Sequence, residues 1–322
     1  MDKLSVTLLI PCYNEADNID IFFQECRPFV KSLDIKLRFL FVDDGSRDQT
    51  CSIIQNYIES DVDVSLIKLT RNFGKEAAMM AGLRFDYEYL KSDAIIPIDC
   101  DLQDPVALIE TFIFHWQQGH EMVVGQRLKR VFDSPIQRIL AKLFYRIHRL
   151  ISRISIPENV GDVRLISRKV VAELVKLNEN QLFMKGLFAW TGYPYHTVTY
   201  TRPKRKAGYS KFNIWKLWNF ALDGICSFSS LPLRFWLYIG SFISFFSFLY
   251  GSFIIIKTVI LGIDVPGYAS LFSALCFFGG LQLLSIGILG EYVGRIYLES
   301  KRRPAYVIES IIQTKVKPKI KL

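Results

Sequence analysis

Residues 94–104 read AIIPIDCDLQD. An apolar, β-branched run meets two acids, Asp99 and Asp101, with Gln103 just beyond. Apolar residues without polar alternation suit a strand covered on both faces of a parallel sheet. The strand is read as ending on these acids, and its alternation puts Asp99 and Asp101 on one side. Hard divalent cations take oxygen ligands and bridge carboxylates to substrate phosphates. An Asp-x-Asp pair alone has low specificity, since most such pairs are solvated loop acids. At the end of a strand in an α/β chain it points to a metal-assisted diphosphate site.

Four further β-rich runs, at 6–10, 37–42, 64–69 and 122–124, flank this one, with helical stretches at 19–33 and 75–91. Strand–helix alternation predicts a parallel α/β sheet with helices on both faces. Ligands of such sheets bind outside the carboxyl ends of the strands. The polar motifs lie there: Pro11-Cys12-Tyr13-Asn14-Glu15 after the first run, Asp43-Asp44-Gly45-Ser46 after the second, and the acid pair after the fourth. Taken singly, Asp-Gly-Ser is ordinary turn chemistry. Arg71-Asn72-Phe73-Gly74-Lys75-Glu76 opens a helix, where a cation and the helix N-terminus can meet a phosphate. Gly161-Asp162-Val163-Arg164 reads as a loop with an acid and a base, and alone as an ion pair. Phe183-Met184-Lys185-Gly186 is equally ambiguous. The histidines, at 115, 120, 148 and 196, are scattered, and no ligand role is assigned to them.

The second half of the chain is different. Residues 235–256 and 265–290 carry no charged side chain. Each run is long enough to cross a bilayer, which takes about 20 apolar residues. Arg234 precedes the first, and Arg295, Lys301, Arg302 and Arg303 follow the second, so the positive-inside rule puts both termini in the cytoplasm. The first residues, MDKLSVTLLIPCYNE, lack the pattern of a signal peptide. The segment 134–154 is an amphipathic helix with Arg138, Lys142, Arg146, Arg149 and Arg153 on its polar face. It is either a surface helix packed on the sheet or an in-plane membrane helix. Residues 211–228 repeat the amphipathic pattern with three aromatic rings suited to the headgroup region. Net charge is +9, concentrated beside apolar segments. An anionic lipid surface fits this better than nucleic acid. The six cysteines show no metal-ligand spacing and read as small buried side chains.

Together these segments resemble the second family of inverting glycosyltransferases, which includes the dolichol-phosphate-sugar synthases, and among them the bacterial bactoprenol-phosphate glucosyltransferases of O-antigen modification. The carrying segments are PCYNEADNI (11–19), VDDGSRDQT (42–50), LTRNFGKEAAMMAG (69–82), IPIDCDLQDP (96–105), NVGDVRLISRKV (159–170), FMKGLFAWTGY (183–193), SKFNIWKLWNFALDGICSFS (210–229), VPGYASL (265–271) and GEYVGRIYLESKRRP (290–304).

The resemblance implies a GT-A, Rossmann-like fold, with a core at 1–133, an acceptor-side part at 134–210, an interface helix at 211–232, two transmembrane helices at 233–296 and a basic cytoplasmic tail at 297–322. It implies that Pro11, Tyr13, Glu15, Asp44, Lys75 and Asp99 bind the UDP-sugar, and that Asp99, Asp101 and Gln103 hold Mg²⁺ or Mn²⁺. Asp162, with Asp101 and Arg164, falls at the reacting centre, where its counterpart in relatives is the proposed base. Arg127, Arg164 and Lys211 would face the acceptor phosphate. The implied partners are a UDP-sugar, undecaprenyl phosphate, anionic lipids of the bacterial inner membrane and further copies of the chain, a tetramer being the suggested size. Cys100 and Val163 depart from the family's usual residues without removing a functional group. Open alternatives are another sugar (GlcNAc, galactose, mannose or aminoarabinose), a processive synthase, whose Q-x-x-R-W motif and extra spans this chain lacks, and an inactive membrane scaffold.

Overall fold

The computed structural model describes residues 3–32, 35–60, 63–128, 160–180, 182–201, 231–261 and 267–313. The expectations for the basic helix at 134–154, for Lys211 and for the segment 211–230 lie outside them. The catalytic half is built on one eight-stranded sheet, in the order β7-β5-β6-β4-β1-β2-β3-β8. The strands are β1 Ser5–Cys12, β2 Lys36–Asp43, β3 Val64–Leu69, β4 Ala94–Pro97, β5 Met122–Arg127, β6 Val160–Ser167, β7 Tyr195–Tyr200 and β8 Ile308–Gln313. β1 pairs in parallel with both β2 and β4, and β6 and β8 run against the rest. The chain therefore leaves β1 to build one side and returns to build the other, which opens a crevice at the strand ends beside β1 and β4.

Alternation along the strands feeds two apolar layers. Val6, Leu8 and Ile10 of β1 face one side, packed with Phe22 and Phe23 of α1 (Ala16–Ser32), Ile54 of α2 (Thr50–Ser60) and Phe112 of α4 (Leu108–Gln117). Leu9 faces the other, with Ala78 and Leu83 of α3 (Lys75–Phe85), Val171 of α5 (Arg168–Leu174) and Leu187 of α6 (Met184–Trp190). Both faces of the sheet are covered, so its strands read as apolar runs. The helix expected to reach residue 91 changes to a π-turn at Asp86–Leu90 and ends on Lys91 in the left-handed conformation. Cys12, Cys26 and Cys100 are free and buried.

Two long helices follow, α7 (Leu231–Leu261) and α8 (Tyr268–Ser300). Phe277–Ser300 is long and apolar enough to cross a membrane, and Tyr238–Phe253 is a shorter apolar stretch. Phe242, Phe246, Phe248 and Leu275 are exposed on these helices, as lipid-facing side chains would be. α8 runs beyond the uncharged segment, and there Glu291 and Arg295, one turn apart, pair at 2.7 Å.

The tail departs from the sequence expectation. It returns to the catalytic sheet, where β8 pairs antiparallel with β3, placing Ile311 opposite Ile67. Lys68 and Glu309 form an ion pair at 3.0 Å, and the Thr70 amide donates to the Val307 carbonyl at 3.0 Å. The six residues of β8 cover what would be an open edge, which proteins rarely leave unprotected. A chain truncated after Val307 should show β3 amides exchanging with solvent at least about tenfold faster by hydrogen-exchange mass spectrometry, with β1 amides unchanged. Equal protection of β3 with and without the tail would show that the added strand does not close the edge.

Candidate active site

The turn after β1 and the turn after β2 lock together. The Asn14 amide donates to Ser46 Oγ at 2.9 Å, and Asn14 Oδ1 accepts from the Arg47 amide at 2.8 Å. Asn14 takes a positive φ of 55°, which Asn tolerates better than most residues. Gly45 also has a positive φ, and a Cβ there would sit 2.5 Å from the Arg71 carbonyl carbon. Only glycine lets this turn press against the backbone of the 71–74 loop. Pro11, next to last in β1, is half-buried, and Tyr13, just beyond the strand, is 38% exposed.

Asp44 holds the same loop from below. Its carboxylate oxygens accept the amides of Phe73 at 2.7 Å and Gly74 at 2.9 Å, and the side chain is 3% exposed. Burial raises its pKa, and the two amides oppose the rise. The Asp44 carboxylate is thus buried and engaged by the loop that aims Lys75. Gly74 itself stands at φ 98°, just before α3.

At the end of this loop the charged groups converge. Lys75 Nζ lies 2.7 Å from Asp99 and 2.8 Å from Asp162, and Lys185 Nζ lies 3.1 Å from the other Asp162 oxygen. Four side chains from four segments thus form one chain of alternating charge: Asp99, Lys75, Asp162, Lys185. Burial alone would raise the Asp162 carboxyl, but Lys185 and Lys75 outweigh it and hold the group well below the usual carboxylate range. Asp99 goes the other way. Burial raises it against the pull of Lys75, and the charges of Asp162 and Asp101 add to the rise.

Asp99 and Asp101 do come together, though not by strand alternation. β4 ends at Pro97, and the acids lie in the turn beyond it, where Leu102 has a φ of 52°. Gln103 is buried and donates its side-chain amide to Asp101 at 2.6 Å and its backbone amide at 3.2 Å. In this arrangement Gln103 positions Asp101. Glu15 completes the acid group. Burial, then the charges of Asp101 and Asp99, raise its pKa despite a hydrogen bond from Asn18. Glu15 after β1 and Asp99 and Asp101 after β4 gather carboxylate oxygens of the kind that a hard divalent cation takes.

Arg164 lies elsewhere than expected. It follows Asp162 by two positions on β6, but its side chain turns inward and is 4% exposed. Its guanidinium stacks 4.1 Å from the Phe188 ring and donates to the Gly161 and Asp162 carbonyls. Burial lowers its pKa to about 10. Arg164 therefore braces the start of β6 from within. Arg127 is partly open; it donates to Tyr200 Oη at 3.2 Å, and that hydroxyl donates to buried Asp104. Tyr200 crosses so near Gly161 that a Cβ there would meet its hydroxyl at 2.9 Å.

Lys185 is the site residue that sequence reasoning did not assign. Its motif stood out, but nothing local tells a solvated lysine at a helix start from one aimed at Asp162. The pairing depends on Glu76, whose carboxylate accepts the Met184 amide at 3.0 Å and so ties the start of α6 to the start of α3.

Two family models match the chain: glycosyl transferase family 2 over residues 7–175, and the GtrB C-terminal hairpin over residues 231–296. The chain is 48% identical over 307 residues to the bactoprenol glucosyl transferase of Shigella phage SfX, covering 95% of this chain and 99% of the relative. It is 46% identical to the prophage bactoprenol glucosyl transferase homolog of Escherichia coli strain K12, over 96% of this chain and 99% of that one. A solved mannosyltransferase from Pyrobaculum calidifontis, in complex with GDP-Man and Mn²⁺, is similar at 16% identity and a TM-score of 0.44, covering 91% of this chain and 84% of that one.

The Glu76 carboxyl is raised from 4.5 to about 7, first by burial and then by Asp162. A carboxyl raised in the folded state binds protons that the unfolded state has lost, so stability falls as pH climbs from the unfolded value through the folded one. Glu76→Gln keeps an acceptor for the Met184 amide without the charge. The variant should gain thermal stability over the native protein as pH rises from 4.5 to about 7 and hold that gain above it. Parallel melting curves at every pH would show that Glu76 is not held protonated.

Proposed function

Because the chain belongs to glycosyl transferase family 2 and is a glycosyltransferase of the GT-A fold, we propose that it moves glucose from UDP-glucose to undecaprenyl (bactoprenol) phosphate at the cytoplasmic face of the bacterial inner membrane. The observation that carries this reading is 48% identity over 95% of the chain to a bactoprenol glucosyl transferase, together with a cluster of acids and lysines at the strand ends. The GtrB hairpin match and the exposed apolar helices support membrane attachment. The lipid-linked sugar would then serve O-antigen or other envelope glycan modification.

In this reading an oxygen of the acceptor phosphate attacks the anomeric carbon of glucose. A carbon–oxygen bond forms on one face as the bond to UDP breaks on the other, so the configuration inverts and UDP departs. The nucleophile needs little help, because a phosphate monoester has a second pKa near ~6 and is largely ionised at neutral pH. Asp162 is a poor base, since two ammonium groups depress its pKa. Its role is to hold Lys75 and Lys185 at a fixed spacing, Lys75 toward the diphosphate and Lys185 toward the incoming phosphate. Both ends of the reaction carry negative charge, and preorganised cations stabilise it without reorganising. Asp99 and Asp101 are the residues that would hold Mg²⁺ or Mn²⁺, whose charge stabilises the departing diphosphate. Tyr13, exposed just beyond β1, would stack on the uracil. Gly287, Gly290 and Gly294 of α8 have open space where a Cβ would stand, which supports close approach of a second copy in the membrane.

The test is transfer from UDP-glucose to undecaprenyl phosphate by protein purified in mild detergent, reading the lipid-linked product. Asp101→Asn should lower the rate by at least about 100-fold, as loss of a charge-stabilising group does, and excess EDTA should stop the reaction. Lys185→Ala should weaken use of the lipid phosphate more than UDP-glucose binding. The same sample should have a detergent-corrected mass above that of one chain. Full activity in EDTA, or no transfer to the lipid by the native protein, would contradict the reading, and a single-chain mass would remove its oligomer clause.

A further inference from the structure

Three of the histidines, dispersed in the sequence, meet in the fold. His115 lies in the last turn of α4, and His120 follows that helix. Between them Gly119, at φ 98°, turns the chain back, with its amide on the Trp116 carbonyl at 2.9 Å and the His120 amide on the His115 carbonyl at 3.4 Å. A left-handed glycine closing a helix in this way is a common helix stop, and here it sets His120 beside His115. His196 arrives from β7. It is in register with Val123 of β5, whose side chain faces the layer that holds α4, so His196 faces that layer too.

The rings of His115 and His196 stack at 4.1 Å, and those of His120 and His196 lie 4.7 Å apart. Each ring offers a nitrogen, and the three nitrogens fall within 4.8 Å of one another. The Nδ1 atom of His115 is buried with no hydrogen-bond partner among the described residues. A buried, unpaired ring nitrogen beside two more imidazoles is a costly arrangement unless something accepts their lone pairs.

We propose that His115, His120 and His196 bind a borderline transition-metal cation, of the Zn²⁺ class, at the end of the sheet opposite the acid cluster. Imidazole suits Zn²⁺, Cu²⁺ and Ni²⁺, whereas the carboxylate turn suits Mg²⁺ and Mn²⁺. Bonds of ~2.0–2.1 Å in a tetrahedron put nitrogens roughly 3.4 Å apart, so small ring rotations would close the set and leave a fourth position for water. The two sites are separated by the length of β5, about 20 Å at the usual rise per residue. The cation's role is structural. It joins the end of α4 to the edge strand β7, and Tyr200 at the far end of β7 hydrogen-bonds with Asp104 and Arg127 beside the crevice.

The test uses the untagged full-length protein in detergent, stripped of metal and kept in saturating Mg²⁺ so that carboxylate sites are filled. Zn²⁺ is titrated by calorimetry and Co²⁺ by its visible spectrum. The native protein should bind one equivalent, with the spectrum of a tetrahedral nitrogen site. His120→Gln and His196→Gln should each weaken binding by at least about tenfold. UDP binding, unchanged in at least one variant, shows that the fold is intact. No binding by the native protein, or binding by both variants as tight as the native protein's, would overturn the proposal.

Discussion

The Lys75 ammonium, held between Asp99 and Asp162, is the contact on which the rest of the site depends. An exposed ion pair contributes about 0–1 kcal/mol and would carry no argument. Here one cation separates two acids that would otherwise repel, in a crevice that is only partly open to water. Removing the lysine would leave two like charges side by side, which is the expensive case. Asp44 fixes the loop that delivers Lys75, Gly45 lets that loop approach, and Glu76 fixes the segment that delivers Lys185. Asp44 and Arg164 both hold backbone near the residues that present the charges.

Strands β1 to β5 were legible in the sequence because they are buried on both faces and read as apolar runs separated by helical stretches, whereas 161–164, read as a loop, lies in β6. The motif positions were legible for the same reason, since they fall at the carboxyl ends of those runs. Lys185 and the histidine group were not, because each is assembled across the fold from segments far apart in sequence. Arg164 misled for a local reason. A charged side chain near a site is read as facing it, but on β6 the position faces Phe188 inside the second apolar layer. β8 was hidden because IESIIQ, following a basic stretch, reads as tail until β3 offers it an edge.

The return of β8 bears on how a membrane enzyme meets its acceptor. The chain leaves the last long helix and at once joins the catalytic sheet, while Glu299 at the end of α8 accepts the backbone amide of Asn180 at 2.8 Å and its side-chain amide at 3.2 Å. Asn180 shortly precedes the segment that carries Lys185. The helix end is thus tied on one side to the sheet edge and on the other to the approach to the active site. A catalytic domain held this way has less orientational freedom than one on a flexible linker, which raises the effective concentration of a lipid headgroup at the site.

A double-mutant cycle on Lys75 and Asp162 tests the central contact most directly. Rates of glucose transfer from UDP-glucose to undecaprenyl phosphate are measured for the native protein, Lys75→Met, Asp162→Asn and the pair. If Asp162 acts by holding Lys75, most of the loss appears with the first substitution, and the double variant is no slower than the worse single one. Losses that multiply would mean that the two residues act independently, and would contradict the account.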